Sequence, residues 1–129
     1  MRPLNAIVTT DAYPLPRQER IVEAIKGKEY LSTCDITTAF YQRMIHPADH
    51  YRGGIISHHG YKCFNIAVMG FKNLPQHQQR LMDKCFGRIA WRTMACFLDD
   101  VIIFSDLYLR HLSDLDEVFC ILEDLGLNT

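Results

Sequence analysis

The sequence predicts an α+β domain in which an antiparallel sheet is covered on one face by helices. Two observations predict it. Apolar residues recur at helical steps and in short β-type runs in the order helix, strand, helix, hairpin, helix, hairpin, helix. The β-type runs from residue 52 to residue 105 also come as close pairs joined by short polar connections, which pairs neighbours antiparallel. The 129 residues, 48% apolar and 22% charged, suffice for one domain, 1–129, with its own core.

Asp11-Ala-Tyr-Pro-Leu-Pro16 holds two prolines that forbid a helix interior, so it forms an extended arm. Arg17 to Lys26 follows as a short helix with Ile21, Val22 and Ile25 on one face, stopped by Gly27. Tyr30 to Ile36 reads as a strand with Asp35 at its end, and Thr37 to Gln42 as the turn or helical start after it. Arg52 to Ser57 and Tyr61 to Ile66 flank His58-His59-Gly60 as a hairpin. From Pro75 to Gly87, Leu81, Met82, Cys85 and Phe86 mark an amphipathic helix, with Ile89 continuing the pattern. Thr93 to Leu98 and Val101 to Ser105 form a second hairpin with Asp99-Asp100 at its tip. The last helix spans Leu107 to Leu125. Leu112, Leu115, Val118, Phe119 and Leu122 face inward, Asp114, Asp116, Glu117, Glu123 and Asp124 face outward, and Gly126 is the C-cap.

Composition excludes several functions. With 14 Lys+Arg against 15 Asp+Glu the net charge is −1, unlike a self-sufficient nucleic-acid binder. The distribution is uneven: residues 31–98 hold eight basic and three acidic side chains, and 99–129 hold one and eight. A basic middle suits a phosphate backbone. An acidic end suits either a divalent metal at its start or a solvated helix face. The five cysteines lack any C-x-x-C pair, so they fit neither a disulfide framework nor a zinc knuckle and read as small buried apolar residues. Of the six histidines only His46 and His50 stand at H-x-x-x-H spacing, and the set reads as structural. There is neither an apolar run of about 18 residues nor an apolar signal core, so no membrane partner and an intracellular location, cytoplasm or nucleus, are expected.

Adjacent aspartates between apolar strands repel each other, and a cation would remove that cost. If Asp35 ends a neighbouring strand, three carboxylates converge into an oxygen-rich site of the kind Mg²⁺ uses with substrate phosphates. The residues fit a plainer reading equally: Asp99-Asp100 as a turn and Asp35 as a helix N-cap.

Three motifs in one order decide between them. Ser32-Thr-Cys-Asp35-Ile-Thr-Thr-Ala-Phe40-Tyr-Gln42 resembles the first palm motif of reverse transcriptases. Val68-Met-Gly70-Phe-Lys72-Asn-Leu-Pro75 with Gln79-Arg-Leu-Met-Asp83 resembles their second, and Phe97-Leu-Asp99-Asp100-Val-Ile-Ile-Phe-Ser105 their third. Arg2-Pro-Leu-Asn5, Asp11–Pro16, His111-Leu, Val118-Phe and Leu125-Gly-Leu127 resemble flanking segments of gypsy-type (Metaviridae) LTR retrotransposon enzymes.

The resemblance implies a ferredoxin-like polymerase palm with part of the fingers. It implies that Asp35, Asp99 and Asp100 are catalytic and bind Mg²⁺ or Mn²⁺, and that a nucleic-acid template–primer and a deoxynucleoside triphosphate are the partners. Phe40 is then the gate against a 2′-hydroxyl, Arg52 a fingers residue, and Gly70 a point of close backbone approach. Lys72, Pro75 and Gln79 shape the template side. Met69, Leu74 and Gln76-His77-Gln78 depart from the family pattern. Full fingers, thumb and RNase H segments are not recognised, so weak or no activity of the isolated chain is expected. The alternative is a retrotransposon-derived, non-catalytic interaction module that self-associates into a homo-oligomer through uncovered apolar surface.

Overall fold

The computed structural model describes residues 2–37 and 39–127; Thr38, in the turn expected over 37–42, and Met1 lie outside the described residues. Among the described residues four α-helices and five strands follow one another as α1 (Arg2–Ile7), α2 (Gln18–Ile25), β1 (Tyr30–Asp35), β2 (Ile55–Ser57), β3 (Gly60–Lys62), α3 (Leu74–Phe86), β4 (Met94–Phe97), β5 (Asp100–Ser105) and α4 (Tyr108–Asp124). Short 3₁₀ helices cover Ala39–Gln42 and Pro47–Gly53.

The central sheet is antiparallel in the order β1-β5-β4. Side chains alternate across it. Cys34, Val101, Ile103 and Met94 point toward α3 and α4, where they meet Met82, Phe86, Val118 and Leu122 in one core with Ile36, Ala39 and Ile89. Burying side chains of this size contributes about 1.5–3 kcal/mol each, so this face holds the domain together. Thr33, Asp35, Ala95, Phe97, Asp100 and Ile102 lie on the opposite face, which α2 borders through Gln18 and Ile21.

The predicted helices α2 and α3 form within one or two residues of the expected bounds. Other expectations are corrected. Gly60 pairs with Ser57, so the first hairpin turns over His58-His59 alone and its strands are three residues each. Ile66 instead bridges to Met44, and Ala67 N–H donates to the Arg43 carbonyl at 2.7 Å. Arg52 sits in the 3₁₀ helix opened by Pro47 rather than in a strand, because proline is pre-organised for a first helical turn. At Gly54 an added Cβ would lie 2.0 Å from the Tyr61 hydroxyl, so a side chain there would displace the exposed Tyr61 ring.

The tip of the second hairpin is Leu98-Asp99; Asp100 is already in β5. The inward face of α4 is also rotated: His111, Asp114, Val118 and Leu122 are buried, while Leu112 and Phe119 are exposed. Among the cysteines only Cys96 is buried; Cys34 and Cys85 are half-buried, and Cys63 and Cys120 are exposed. Among the described residues, no helix is long and apolar enough to cross a membrane.

Candidate active site

Register builds the site. In the β1–β5 ladder Asp35 stands directly opposite Asp100, and Asp100 stands opposite Phe97 in the β5–β4 ladder. Directly opposed like charges destabilise a sheet, and both carboxylates are exposed on the same open face. Neither has a hydrogen-bonding or ion-pairing partner among the described residues, and the same holds for the carboxylate of Asp99. The Asp99 backbone carbonyl does accept a hydrogen bond from the Ile36 amide at 3.0 Å, tying the hairpin tip to the end of β1.

Asp35 and Asp100 line a cleft of about 440 Å³ together with Thr33, Phe97, Ile102 and, from α2, Gln18 and Ile21. Its walls are mostly apolar, while the two carboxylates at its edge stay exposed to water. Asp99 sits beside this cleft in the turn. Among the described residues, no three His, Cys, Asp or Glu side chains close into a ready metal-ligand set. The donors that are present, unpartnered carboxylates on adjacent strand ends, are the oxygen type that Mg²⁺ takes one or two at a time while water and phosphate fill its other positions.

The turn itself is unusual. Leu98 has φ 60°, a left-handed conformation that a bulky side chain adopts at a cost of about 1–3 kcal/mol. Gln79, fully buried on α3, holds it: Gln79 Oε1 accepts from the Leu98 amide at 2.8 Å, and Gln79 Nε2 donates to the Cys96 carbonyl at 3.2 Å and to Asp83 at 2.9 Å. The Tyr13 hydroxyl donates to the other Asp83 oxygen at 2.5 Å, which pushes the Tyr13 pKa up. Arg80 beside them pairs with Asp11 at 2.7 Å and stacks over the Tyr13 ring at 4.7 Å. Burial pushes the neighbouring Cys96 thiol up to about 12, with Asp83, Cys34, Asp99 and Asp100 adding in the same direction, so it stays protonated and is no nucleophile.

The remaining predicted site residues lie outside this cleft. Phe40 is half-buried in the 3₁₀ helix after β1, and Arg52 is exposed and pairs with Asp49 at 3.2 Å. Pro75 opens α3. Gly70 has φ 100°, which glycine alone adopts freely, and its carbonyl accepts from the Asn5 side chain at 2.6 Å. Asn5 Oδ1 accepts in turn from the Lys72 amide at 2.9 Å, and Lys72 Nζ donates to the Val8 carbonyl at 3.3 Å. Asn73 completes this seam by donating to the Thr9 carbonyl at 2.7 Å and accepting from the Asp11 amide at 3.0 Å. Sequence reasoning missed Gln18 and Ile21 as cleft walls and the Asn5 and Asn73 clamps. Asn5 and Gly70 lie 65 residues apart, and no periodicity connects them.

Asp35 and Asp100 at paired strand ends, with Asp99 in the adjoining turn, stand above a sheet backed by two helices, and the chain belongs to the reverse transcriptase (RNA-dependent DNA polymerase) family, whose model spans residues 1–129. Among its relatives, the retrovirus-related Pol polyprotein from transposon 297 of Drosophila melanogaster is 28% identical over 126 residues, 98% of this chain and 12% of that polyprotein. The enzymatic polyprotein of cauliflower mosaic virus (strain NY8153) is 28% identical over 84% of this chain and 16% of its own length. The transposon Tf2-3 polyprotein of Schizosaccharomyces pombe is 23% identical over 98% of this chain and 10% of its own length. Among solved structures, the foamy viral protease-reverse transcriptase in complex with dsDNA superposes with TM-score 0.89 at 20% identity over 99% of this chain and 26% of that one. The same type of enzyme with an RNA/DNA hybrid gives 0.84 at 20% identity over 94% of this chain and 16% of that one. The chain thus spans a small part of each relative it matches.

Proposed function

We propose that residues 1–129 form one palm domain with part of the fingers that extends a primer on an RNA template from deoxynucleoside triphosphates, and that it derives from a gypsy-type LTR retrotransposon. The observation that carries this reading is the opposition of Asp35 and Asp100, without a cationic partner among the described residues, on the wall of an open cleft. Asp35, Asp99 and Asp100 would hold Mg²⁺ or Mn²⁺. Bound there, the metal supplies charge stabilisation for the attacking 3′-hydroxyl and the leaving pyrophosphate. The chain's own part is positional. The β1–β5 ladder fixes two carboxylates side by side, and Phe97, Ile102 and Ile21 keep the cleft apolar. The basic 31–98 stretch supplies charge for a phosphate backbone. Phe40, Arg52, Gly70, Lys72 and Pro75 are assigned to substrate contact by their place in the family motifs. Because full fingers and thumb would supply much of the positioning, extension by the isolated chain is expected to be weak at most; primer extension on an RNA template with Mg²⁺ tests the reading, any signal from the parent being lost in Asp99→Asn. Equal signals from the two would sink it.

A second reading has an observation of its own. Ile56 is 85% exposed, Ile7 82%, Leu109 78% and Met44 74%, large apolar side chains that a partner surface could cover. On this reading the chain self-associates into a homo-oligomer and acts as an interaction module. Light scattering at high micromolar concentration is expected to give a mass above 15.0 kDa, reduced by Ile56→Glu. A strictly monomeric mass excludes it.

A further inference from the structure

Among the described residues, Gln79 is the one fully buried polar side chain whose hydrogen bonds all converge on the aspartate hairpin or its support. An amide has one acceptor oxygen and two N–H donors. Here the oxygen takes the Leu98 N–H at 2.8 Å, and the nitrogen reaches the Cys96 carbonyl at 3.2 Å and Asp83 Oδ1 at 2.9 Å. Its two backbone contacts lie on either side of Phe97, in β4 and at the turn. No substrate could reach this group, because it is 0% exposed. The chain then continues outward, since Asp83 Oδ2 accepts from the Tyr13 hydroxyl in the proline-bounded arm at 2.5 Å.

We propose that Gln79 is a positioning residue for the aspartate hairpin: its amide holds the Leu98-Asp99 turn in its left-handed form and so sets where Asp99 and Asp100 present their carboxylates, with Tyr13 and Asp83 holding the amide in orientation. This rests on the reading of those aspartates as the metal-binding pair. The physical argument is that the turn is strained at Leu98, and strained backbone persists only where its surroundings over-determine it. Without the Leu98 N–H to Gln79 bond, leucine at φ 60° is free to relax toward negative φ, which swings the peptide that carries Asp99. Glycine at position 98 carries no such penalty, so it does not need the clamp.

That difference separates positioning from packing. Gln79→Met keeps the volume and removes the amide. It is expected to speed hydrogen exchange of the residue-98 amide about fivefold to tenfold, the effect of one lost hydrogen bond. Binding of Mn²⁺ alone, followed by electron paramagnetic resonance, is expected to weaken by a similar factor of about five to ten. Adding Leu98→Gly to Gln79→Met is expected to restore most of the Mn²⁺ affinity, a non-additivity that a purely packing role cannot produce. Tyr13→Phe, which removes one hydroxyl from the arm, keeps the test open should Gln79→Met fail to fold: it is expected to speed residue-98 exchange by about twofold to threefold. Unchanged residue-98 exchange in Tyr13→Phe and Gln79→Met overturns the proposal, as does failure of Leu98→Gly to restore Mn²⁺ binding. Primer extension that Asp99→Asn leaves unchanged, with these exchange results intact, would overturn the polymerase reading and leave the positioning role standing.

Discussion

Asp100→Asn is expected to abolish primer extension and, in the same protein, to raise the melting temperature measured in EDTA. The two effects share one cause. Asp100 opposes Asp35 across the β1–β5 ladder, and neither carboxylate has an ion-pairing partner among the described residues to offset the repulsion. Neutralising one member removes a like-charge cross-strand contact, and for a domain of this size that corresponds to a rise of about 1–4 °C. The amide cannot replace a carboxylate in holding a divalent cation, and loss of that electrostatic stabilisation lowers the extension rate by about 10³-fold or more. Mg²⁺ separates the two effects further. On the proposed reading it binds the native state of the parent and is expected to raise its melting temperature, so the gap between parent and variant closes as Mg²⁺ is added. Parallel melts in EDTA and in Mg²⁺, beside a primer-extension assay, check all three points. A variant that melts lower than the parent in EDTA would show that Asp100 holds the sheet together rather than straining it.

The opposition of Asp35 and Asp100 was legible in outline because strands have a period of two and because Asp is conspicuous between apolar runs. Asp35 closes one such run, and Asp100 follows another. The register that sets them face to face was not legible, since pairing of β1 with β5 crosses about half the chain. Gln79 shows a different limit. Its motif placed it at the template, whereas it lies behind the hairpin, fully buried. A glutamine on an amphipathic helix carries no sign of whether it meets water, substrate or another element's backbone; only the unsatisfied groups of the β4–β5 turn decide that. The 3₁₀ helix over Pro47–Gly53 was hidden for a similar reason. Gly53, Gly54 and the apolar run after them read as strand, while Pro47 with the His46 ring accepting from the Ala48 amide at 3.2 Å makes a helical turn.

The same limit yields the clearest stability prediction, on α4. Periodicity alone turned Phe119 inward and Asp114 outward, and the structure reverses both: Asp114 is 7% exposed and Phe119 39%. The reason lies on the sheet. Ser32 in β1 and Ser105 in β5 present hydroxyls toward α4, and these need partners once the helix covers them. The single Ser105 hydrogen goes to Asp114 Oδ2 at 2.5 Å, so His111 Nδ1–H donates to Ser105 Oγ at 3.2 Å, and His111 Nε2 is left to accept from Ser32 Oγ at 2.8 Å. This order uses every donor once and joins β1, β5 and α4, with Arg110 3.9 Å from Asp114 at the rim. Asp114→Ala removes the acceptor at the end of that chain and leaves the Ser105 hydroxyl buried without it, at a cost of about 2–3 kcal/mol. That is a large share of the roughly 5–15 kcal/mol that separates a folded domain from its unfolded chain. Phe119→Ala removes a ring that is 39% exposed and costs about 1–2 kcal/mol. Urea unfolding of the two variants beside the parent ranks them directly, and Ser105→Ala combined with Asp114→Ala is expected to cost less than the sum of the two single changes because both act on one hydrogen bond. The opposite ranking, Phe119→Ala the more damaging, would restore the helix orientation that apolar spacing alone predicts.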